Sequence, residues 1–231
     1  SIGGTGEINT NETKSFAIKS VQWGSGDKTL CANFLRGQGD GENIKESTIQ
    51  TLDLSGLAGV TSVGDHFLDA SFKLKKVDLS PLCNLTKIPN NFRAGCRTLS
   101  ALDFAPLKNV TEIGDWLLAG SFLSESPVGE DPTLQALDLS PLANITANDK
   151  IGKGFLYNCQ QLTYVNMGNI KAEYMNNTDN NAFCVDESFG GSHETMPAYN
   201  PGITLVGQYV SDIKNKFGDR TDSPWRKLLL G

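Results

Sequence analysis

The sequence predicts an α/β solenoid with one short parallel strand per repeat of about 25 residues, short helical turns opposite, and a cap at each end. Three observations carry that expectation. The first is a recurring strand. Ile49–Leu54, Leu74–Leu79, Leu99–Phe104, Leu134–Leu139 and Leu162–Met167 share the pattern apolar-x-x-apolar-Asp/Asn-apolar, and their Asp/Asn positions 53, 78, 103, 138 and 166 are separated by 25, 25, 35 and 28 residues. The two long intervals are the same unit with an insertion. Ten extra residues fall in Phe122–Thr133 and three between Thr146 and Ile151.

The second observation is the set of apolar columns outside the strand: Leu57/Leu82/Leu107/Leu142, Val60/Leu85/Val110/Ile145, Val63/Ile88/Ile113/Ile151 and Phe67/Phe92/Leu117/Phe155. With the three strand columns, all 28 positions are apolar in a chain that is 39% apolar, a chance of roughly 10⁻¹¹ before allowance for choosing the register. Coincidence is excluded. Within each strand Leu52 and Leu54, and their copies, point one way and Asp53 the other, as the two-residue period of a strand requires.

The third is the turn chemistry. Gly59, Asn84, Asn109 and Asn144 share a column, followed by Thr61, Thr86, Thr111 and Thr146. Glycine and asparagine tolerate positive φ best, so the column predicts a left-handed turn residue. Asp65, Asn90 and Asp115 then precede short apolar turns ending in Ala70, Gly95 and Gly120, which predicts N-caps of one-turn helices. One such coil cannot bury its apolar face alone, so the units must stack.

The motif Ile/Val-Gly-Asp-x-x-Phe/Leu-x-x-Gly/Ala-Cys/Ser followed by Leu-x-x-Val/Leu-Asp-Leu, in Val63–Leu79 and Ile113–Ser121, resembles the BspA-like leucine-rich repeat. Ile88–Leu99 and Gly154–Leu162 carry the Phe-x-x-x-Cys-x-x-Leu form most clearly. The resemblance covers roughly residues 47–168, with a weaker echo at Ala182–Cys184 and Ile203–Val206. Departures are Pro89 for the family glycine, Ser71 and Ser121 for the cysteine, and Asp at a strand position often filled by Thr or Ser. The resemblance implies a right-handed leucine-rich-repeat solenoid in an exported bacterial or protist surface protein, often engaged in adhesion or in holding proteins and glycans. It also implies a helical cap over Tyr209–Leu230, with Trp225 near its end.

The organisation expected is one continuous domain: an N-terminal capping region over 1–46, repeats over 47–168, an irregular last repeat over 169–206 and a C-terminal helical cap over 207–231. In the first region Ser15–Trp23 alternates enough for a strand, Asp27–Arg36 predicts a short helix stopped by Gly37, and Gly37–Gly41 reads as a surface loop because no Lys-Ser/Thr follows it. Residues 169–202 are rich in Asn, Gly and Pro.

Twenty Lys+Arg against 26 Asp+Glu leave a formal net charge of −6, which disfavours a nucleic-acid partner. No stretch approaches the ~20 apolar residues of a membrane span. The start, Ser1–Gly6, lacks a basic region followed by an apolar run, so any secretion signal is expected to have been removed. The localisation expected is extracellular or at the cell surface, and the oligomeric state a monomer.

Catalytic material is scarce. His66 and His193 are the only histidines, and the chain holds no Gly-x-Ser-x-Gly, no His-Glu-x-x-His, no Cys-x-x-Cys and no Walker loop. His193–Glu194 with Cys184 nearby is the one grouping that points to a hydrolase, and His66 reads as a solvated turn residue. The expectation is a chain that is not an enzyme and carries no cofactor, metal or catalytic residue. Of five cysteines, Cys96 and Cys159 share a column two coils apart, ~10 Å at ~4.8 Å per coil, beyond the ~7 Å limit for a disulfide. They are expected to be reduced core thiols; Cys31, Cys83 and Cys184 are left unassigned. Asn84-Leu-Thr86, Asn109-Val-Thr111 and Asn144-Ile-Thr146 are formal glycosylation sequons, but the turn column already accounts for them.

Asp53, Asp78, Asp103 and Asp138 form a ladder on the exposed sheet face, where like charges ~5 Å apart oppose folding unless a cation, solvent or backbone donors compensate. A calcium site needs six to eight oxygens in a shell, which a straight ladder does not supply. The function expected is non-catalytic recognition of a protein or glycan, with a spacer lacking any ligand as the alternative. The residues expected to make contact are Lys75, Lys76, Asp78, Asp103, Asp138 and Tyr164 on the sheet face, with Glu125, Glu130 and Asp131 from the inserted segment Ser124–Asp131.

Overall fold

The structure is a computed structural model, and it describes residues 15–23, 28–36, 49–71, 73–94, 99–119, 134–157, 159, 162–178, 181–184, 202–218 and 228–231. The strands are short: β1 Ser15–Ala17, β2 Thr29–Leu30, β3 Thr51–Asp53, β4 Ser62–Val63, β5 Lys87–Ile88, β6 Glu112–Ile113, β7 Ala136–Asp138, β8 Tyr164–Asn166, β9 Ile203–Val206 and β10 Leu228–Leu230. One α-helix, α1 Val210–Phe217, precedes β10. Every strand pair among the described residues is parallel, and β7, β8, β9 and β10 line up in that order as one four-stranded sheet.

The registers join equivalent positions of successive sequence units. Leu137 stands opposite Val165 and Asp138 opposite Asn166, one unit on. A second line of pairing runs through the Val63/Ile88/Ile113/Ile151 column: Ile88 opposite Ile113, then single parallel bridges from Ile113 to Ile151 and from Ile151 to Met175. Of the 28 apolar column positions, 25 are buried, and Leu52, Val77 and Leu102 are partly buried against the same core.

The N-terminal segment carries its expected strand over Ser15–Ala17 and differs from its sequence reading beyond it. Phe16 pairs with Leu52 and Leu30 with Val63, so Ser15–Ala17 and Thr29–Leu30 supply both strand lines of a further unit stacked on the first recognised one. Thr29–Leu30 is strand and Ala32–Leu35 a turn, where a helix is expected; Asp27 lies outside the described residues. Phe34 stacks on Phe67 and Phe67 on Phe92, with ring centroids 6.3 and 5.8 Å apart. At the other end the expected helical cap is helical over α1, residues 219–227 with Trp225 lie outside the described residues, and Leu228–Leu230 returns as a strand beside β9. Two repeats carry less strand than expected. Leu74–Leu79 and Leu99–Phe104 contain no assigned strand, although the Ser100 N–H donates to the Lys75 carbonyl.

The helical turns also sit elsewhere than expected. The 3₁₀ turns Ser55–Leu57, Ser80–Leu82 and Ala105–Leu107 come directly after the column residues Leu54, Leu79 and Phe104, with Pro81 and Pro106 in the first turn, where a missing N–H costs nothing. At Asp65, Asn90 and Asp115 there is no N-cap. The chain there alternates between right- and left-handed backbone: His66, Leu68 and Ala70 have positive φ, as do Asn91 and Arg93, then Trp116 and Leu118. The N–H groups of His66 and Asn91 reach forward to the carbonyls of Asn90 and Asp115, while those of Arg93 and Leu118 reach back to Phe67 and Phe92. The side chains join in: Asp65 Oδ1 accepts from Asn90 N–H at 3.0 Å, Asn90 Oδ1 from Asp115 N–H at 2.8 Å, and Asp115 Oδ1 from Lys153 N–H at 2.7 Å. They cross-link units and do not cap helices.

The Gly/Asn column is corrected in the same way. Only Gly59 has positive φ, at 87°; Asn84, Asn109 and Asn144 do not. Instead Asn109 and Asn144 donate through Nδ2 to the carbonyls of Cys83 and Lys108 in the preceding unit, at 3.0 and 2.8 Å.

Two stability results are expected. Leu137 is 2% exposed, so Leu137→Ala should lower stability by about 2–5 kcal/mol, read as a reduced denaturant midpoint. Gly154 has φ +65° and lies under the Trp116 ring, where an added Cβ would stand 2.0 Å from Cε3. Gly154→Ala should therefore cost more than the ~1–2 kcal/mol of left-handed strain alone. Adding Trp116→Ala should recover part of that loss in thermal unfolding, and no recovery would show that the ring is not the obstacle.

Candidate functional site

The exposed face of the sheet is built by residue alternation. Ala136, Tyr164, Thr204 and Leu229 follow one another across β7, β8, β9 and β10, with Asp138, Asn166 and Val206 as the next outward row. Tyr164 is 43% exposed and Leu229 38%, so a partly apolar row stands open to solvent between polar neighbours. Leu230 continues the buried column of Leu137, Val165 and Leu205, yet it is 46% exposed because β10 pairs on one side only among the described strands.

Asp138 lies within this patch, opposite Asn166. Lys75, Lys76, Asp78 and Asp103 are also exposed, in the two units that carry no assigned strand, and no recorded pairing joins them to Tyr164. Glu125, Glu130 and Asp131 lie outside the described residues, as do Cys96, His193 and Glu194. Cys31, Cys83, Cys159 and Cys184 are not joined in disulfides. The Cys159 thiol donates to the Leu118 carbonyl at 3.1 Å, and the Ser71 hydroxyl in the same column to the Leu35 carbonyl at 3.5 Å. At Ser71 and Cys159 a hydroxyl and a thiol thus close the same bond to the preceding unit.

The Asp ladder has a mechanical task. Asp53, Asp78, Asp103 and Asp138 each accept through Oδ1 the N–H of the residue two places on, at 2.8–2.9 Å, which starts the turn that ends the strand. Asn166 accepts from Gly168 in the same manner at 3.0 Å. These backbone donors are the compensation that a column of like charges needs. Lys19, in the segment read from the sequence as a cap, adds an ion pair to Asp53. Its hydrogen bond, then those from the Ser55 N–H and hydroxyl, hold the Asp53 carboxyl far below the ordinary carboxylate range. The Ser80 hydroxyl and N–H lower the Asp78 pKa, against desolvation and the like charge of Asp53, which raise it.

The second strand line carries an ion ladder of its own. Glu112 lies 2.8 Å from Lys150 and 2.6 Å from Lys87, and those two cations, Lys150 foremost, depress its pKa. Beside it, the pairing between β4 and β5 is interrupted. Gly64, Gly114 and Gly152 each donate their N–H to the preceding unit, to the carbonyls of Leu30, Ile88 and Ile113, with the neighbouring backbone so close that a Cβ would not fit. Pro89 occupies this column, has no N–H, and leaves a cleft of about 240 Å³ lined by Thr61, Ser62, Val63, Asp65, Thr86, Lys87 and Pro89. That is smaller than the ~300–1,000 Å³ of ordinary ligand pockets. Among the described residues no group of three or more His, Cys, Asp or Glu is placed to hold a metal ion.

The Asp column makes a testable statement. Asp103→Asn keeps the acceptor, as Asn166 does naturally, and should leave the denaturant midpoint nearly unchanged; Asp103→Ala should lose about 0.5–1.5 kcal/mol. Because Asp53 and Asp78 have lowered folded-state pKa values, their stabilisation is complete above the unfolded carboxylate pKa of ~3.9 and disappears as pH falls through the folded values. Unfolding midpoints measured downward from pH 5 should fall less steeply in Asp53→Asn/Asp78→Asn than in the parent chain. Comparison of the chain with protein-family models, with curated proteins and with solved structures finds no match.

Proposed function

We propose that this chain is a right-handed leucine-rich-repeat solenoid of the BspA-like type, exported to the cell surface, and that it recognises a protein or glycan without catalysis. Parallel pairing at equivalent positions of successive units supports the architecture. No helix of the described residues is long and apolar enough to cross a membrane.

The observation that carries the binding role is the row Ala136–Tyr164–Thr204–Leu229, an open strip in which an aromatic and an aliphatic side chain are displayed beside Asp138 and Asn166. Aromatic side chains give large contact area at low entropy cost and recur at the centres of interfaces. Lys75, Lys76, Asp78 and Asp103 extend the face, and the acidic segment 124–131, with Glu125, Glu130 and Asp131, is the second contact region of the same proposal. The spacer reading has its own support, since the Asp column spends its Oδ1 atoms on internal turns.

A screen against matrix proteins and a glycan array separates the two. The binding reading expects a ligand whose affinity drops at least about tenfold in Tyr164→Ala, roughly 1.4 kcal/mol, with the melting temperature unchanged. Clean negatives on both panels, or a ligand indifferent to Tyr164→Ala, would favour the spacer or move the site off this face.

A further inference from the structure

Arg93 occupies a column that is otherwise apolar among the described residues, with Phe183 in the last unit, at φ 61° and donating to the Phe155 carbonyl, and leucine in the others. Leu35, Leu68, Leu118 and Leu156 take the equivalent place in other units, each 7% exposed or less, and Arg93 itself is 0% exposed. Its backbone has the column's positive φ, 54°, and donates to the Phe67 carbonyl as Leu118 does to Phe92. The side chain has no such equivalence. Nε, Nη1 and Nη2 are all buried and have no hydrogen-bond partner among the described residues.

A guanidinium offers five N–H donors in a planar fork, accepts nothing, and stays charged at any pH a protein survives. Lysine or histidine in this place could lose its proton; arginine cannot. Burying one unpaired charge costs more, even after relaxation, than burying a leucine there would contribute. Only an acceptor carrying negative charge removes that cost, and the fork matches two oxygens of one group. We propose that Arg93 is an oxyanion-binding residue, taking a carboxylate, phosphate or sulfate group from solution or from a ligand. The proposal does not rest on recognition at the sheet face.

The test compares the parent chain with Arg93→Leu, which restores the column residue and so is expected to fold, and with Arg93→Lys. Thermal unfolding is followed in sodium chloride, acetate, phosphate and sulfate at equal ionic strength. Phosphate and sulfate stabilise most proteins by exclusion from the surface, so the readout is the difference between variants. The parent midpoint should rise by roughly 3–6 °C for each tenfold excess of the bound anion above its dissociation constant, beyond any rise in Arg93→Leu. Arg93→Lys should show a smaller response, since a point charge replaces the fork. Equal responses in the parent and Arg93→Leu for all three oxyanions would overturn the proposal. So would a parent chain that responds to none of them. A response to acetate alone identifies a carboxylate as the group taken, and one to phosphate and sulfate a tetrahedral oxyanion.

Discussion

Between Asp65 and Ala70 the peptide N–H groups turn alternately toward the unit ahead and the unit behind: His66 donates forward to Asn90, Leu68 back to Phe34, and Ala70 forward to Ala94. A backbone can do this over so few residues only by alternating handedness, which puts non-glycine residues at positive φ again and again. Each such residue costs about 1–2 kcal/mol. This unit has three of them, His66, Leu68 and Ala70, and what holds it is burial of Phe67 and its neighbour Leu68, ~1.5–3 kcal/mol each, plus interunit hydrogen bonds of ~0.5–1.5 kcal/mol each. The margin is small, so a unit without neighbours on both sides would not keep this shape.

The same constraint selects residues elsewhere. Asp65, Asn90 and Asp115 place a side-chain acceptor where the next unit offers an N–H, Asn109 and Asn144 place an amide donor where the previous unit offers a carbonyl, and Ser71 and Cys159 do so with a hydroxyl and a thiol. Glycine at 64, 114 and 152 lets successive backbones touch. Pro89 is the exception that shows what the column does, because where the N–H is missing the strand line parts and a cleft remains. Polar residues that a motif search would mark as capping, glycosylation or charge sites are here joints between units.

That is also why the sequence was legible only in part. The apolar columns announce themselves, since burial depends on residue type alone and a 25-residue period repeats the signal; 25 of their 28 members are buried. The polar columns carry the right positions but not the partner, because Asp before an apolar turn looks the same whether its acceptor serves its own helix or the next unit. Ser15–Ala17 and Thr29–Leu30 pair as a unit, yet 36 residues separate Phe16 from Leu52, so the 25-residue spacing did not reach them. On the sheet face Tyr164 and Asp138 could be found as outward strand residues. Thr204 and Leu229 could not, because their strands lie beyond the regular repeat and are brought alongside Tyr164 only by pairing.

The placement of charge follows from the same geometry. Outward positions stack at strand spacing, so a repeat that needs an acceptor at the end of every strand must stack acids. Lysines can be interleaved only where the column is not already committed to a turn. At Glu112 it is not, and Lys87 and Lys150 flank it to give an alternating ladder. At Asp53, Asp78, Asp103 and Asp138 the carboxylate is required by the following N–H, so neutralisation comes from the side, through Lys19 at one end, or not at all. The sequence relaxes this column toward the C-terminal end of the sheet, with Asn166 keeping the acceptor without the charge and Val206 dropping both. The open apolar row from Ala136 to Leu229 lies where that relaxation occurs, so the face most able to approach another molecule closely is also the part of the sheet carrying the fewest stacked charges.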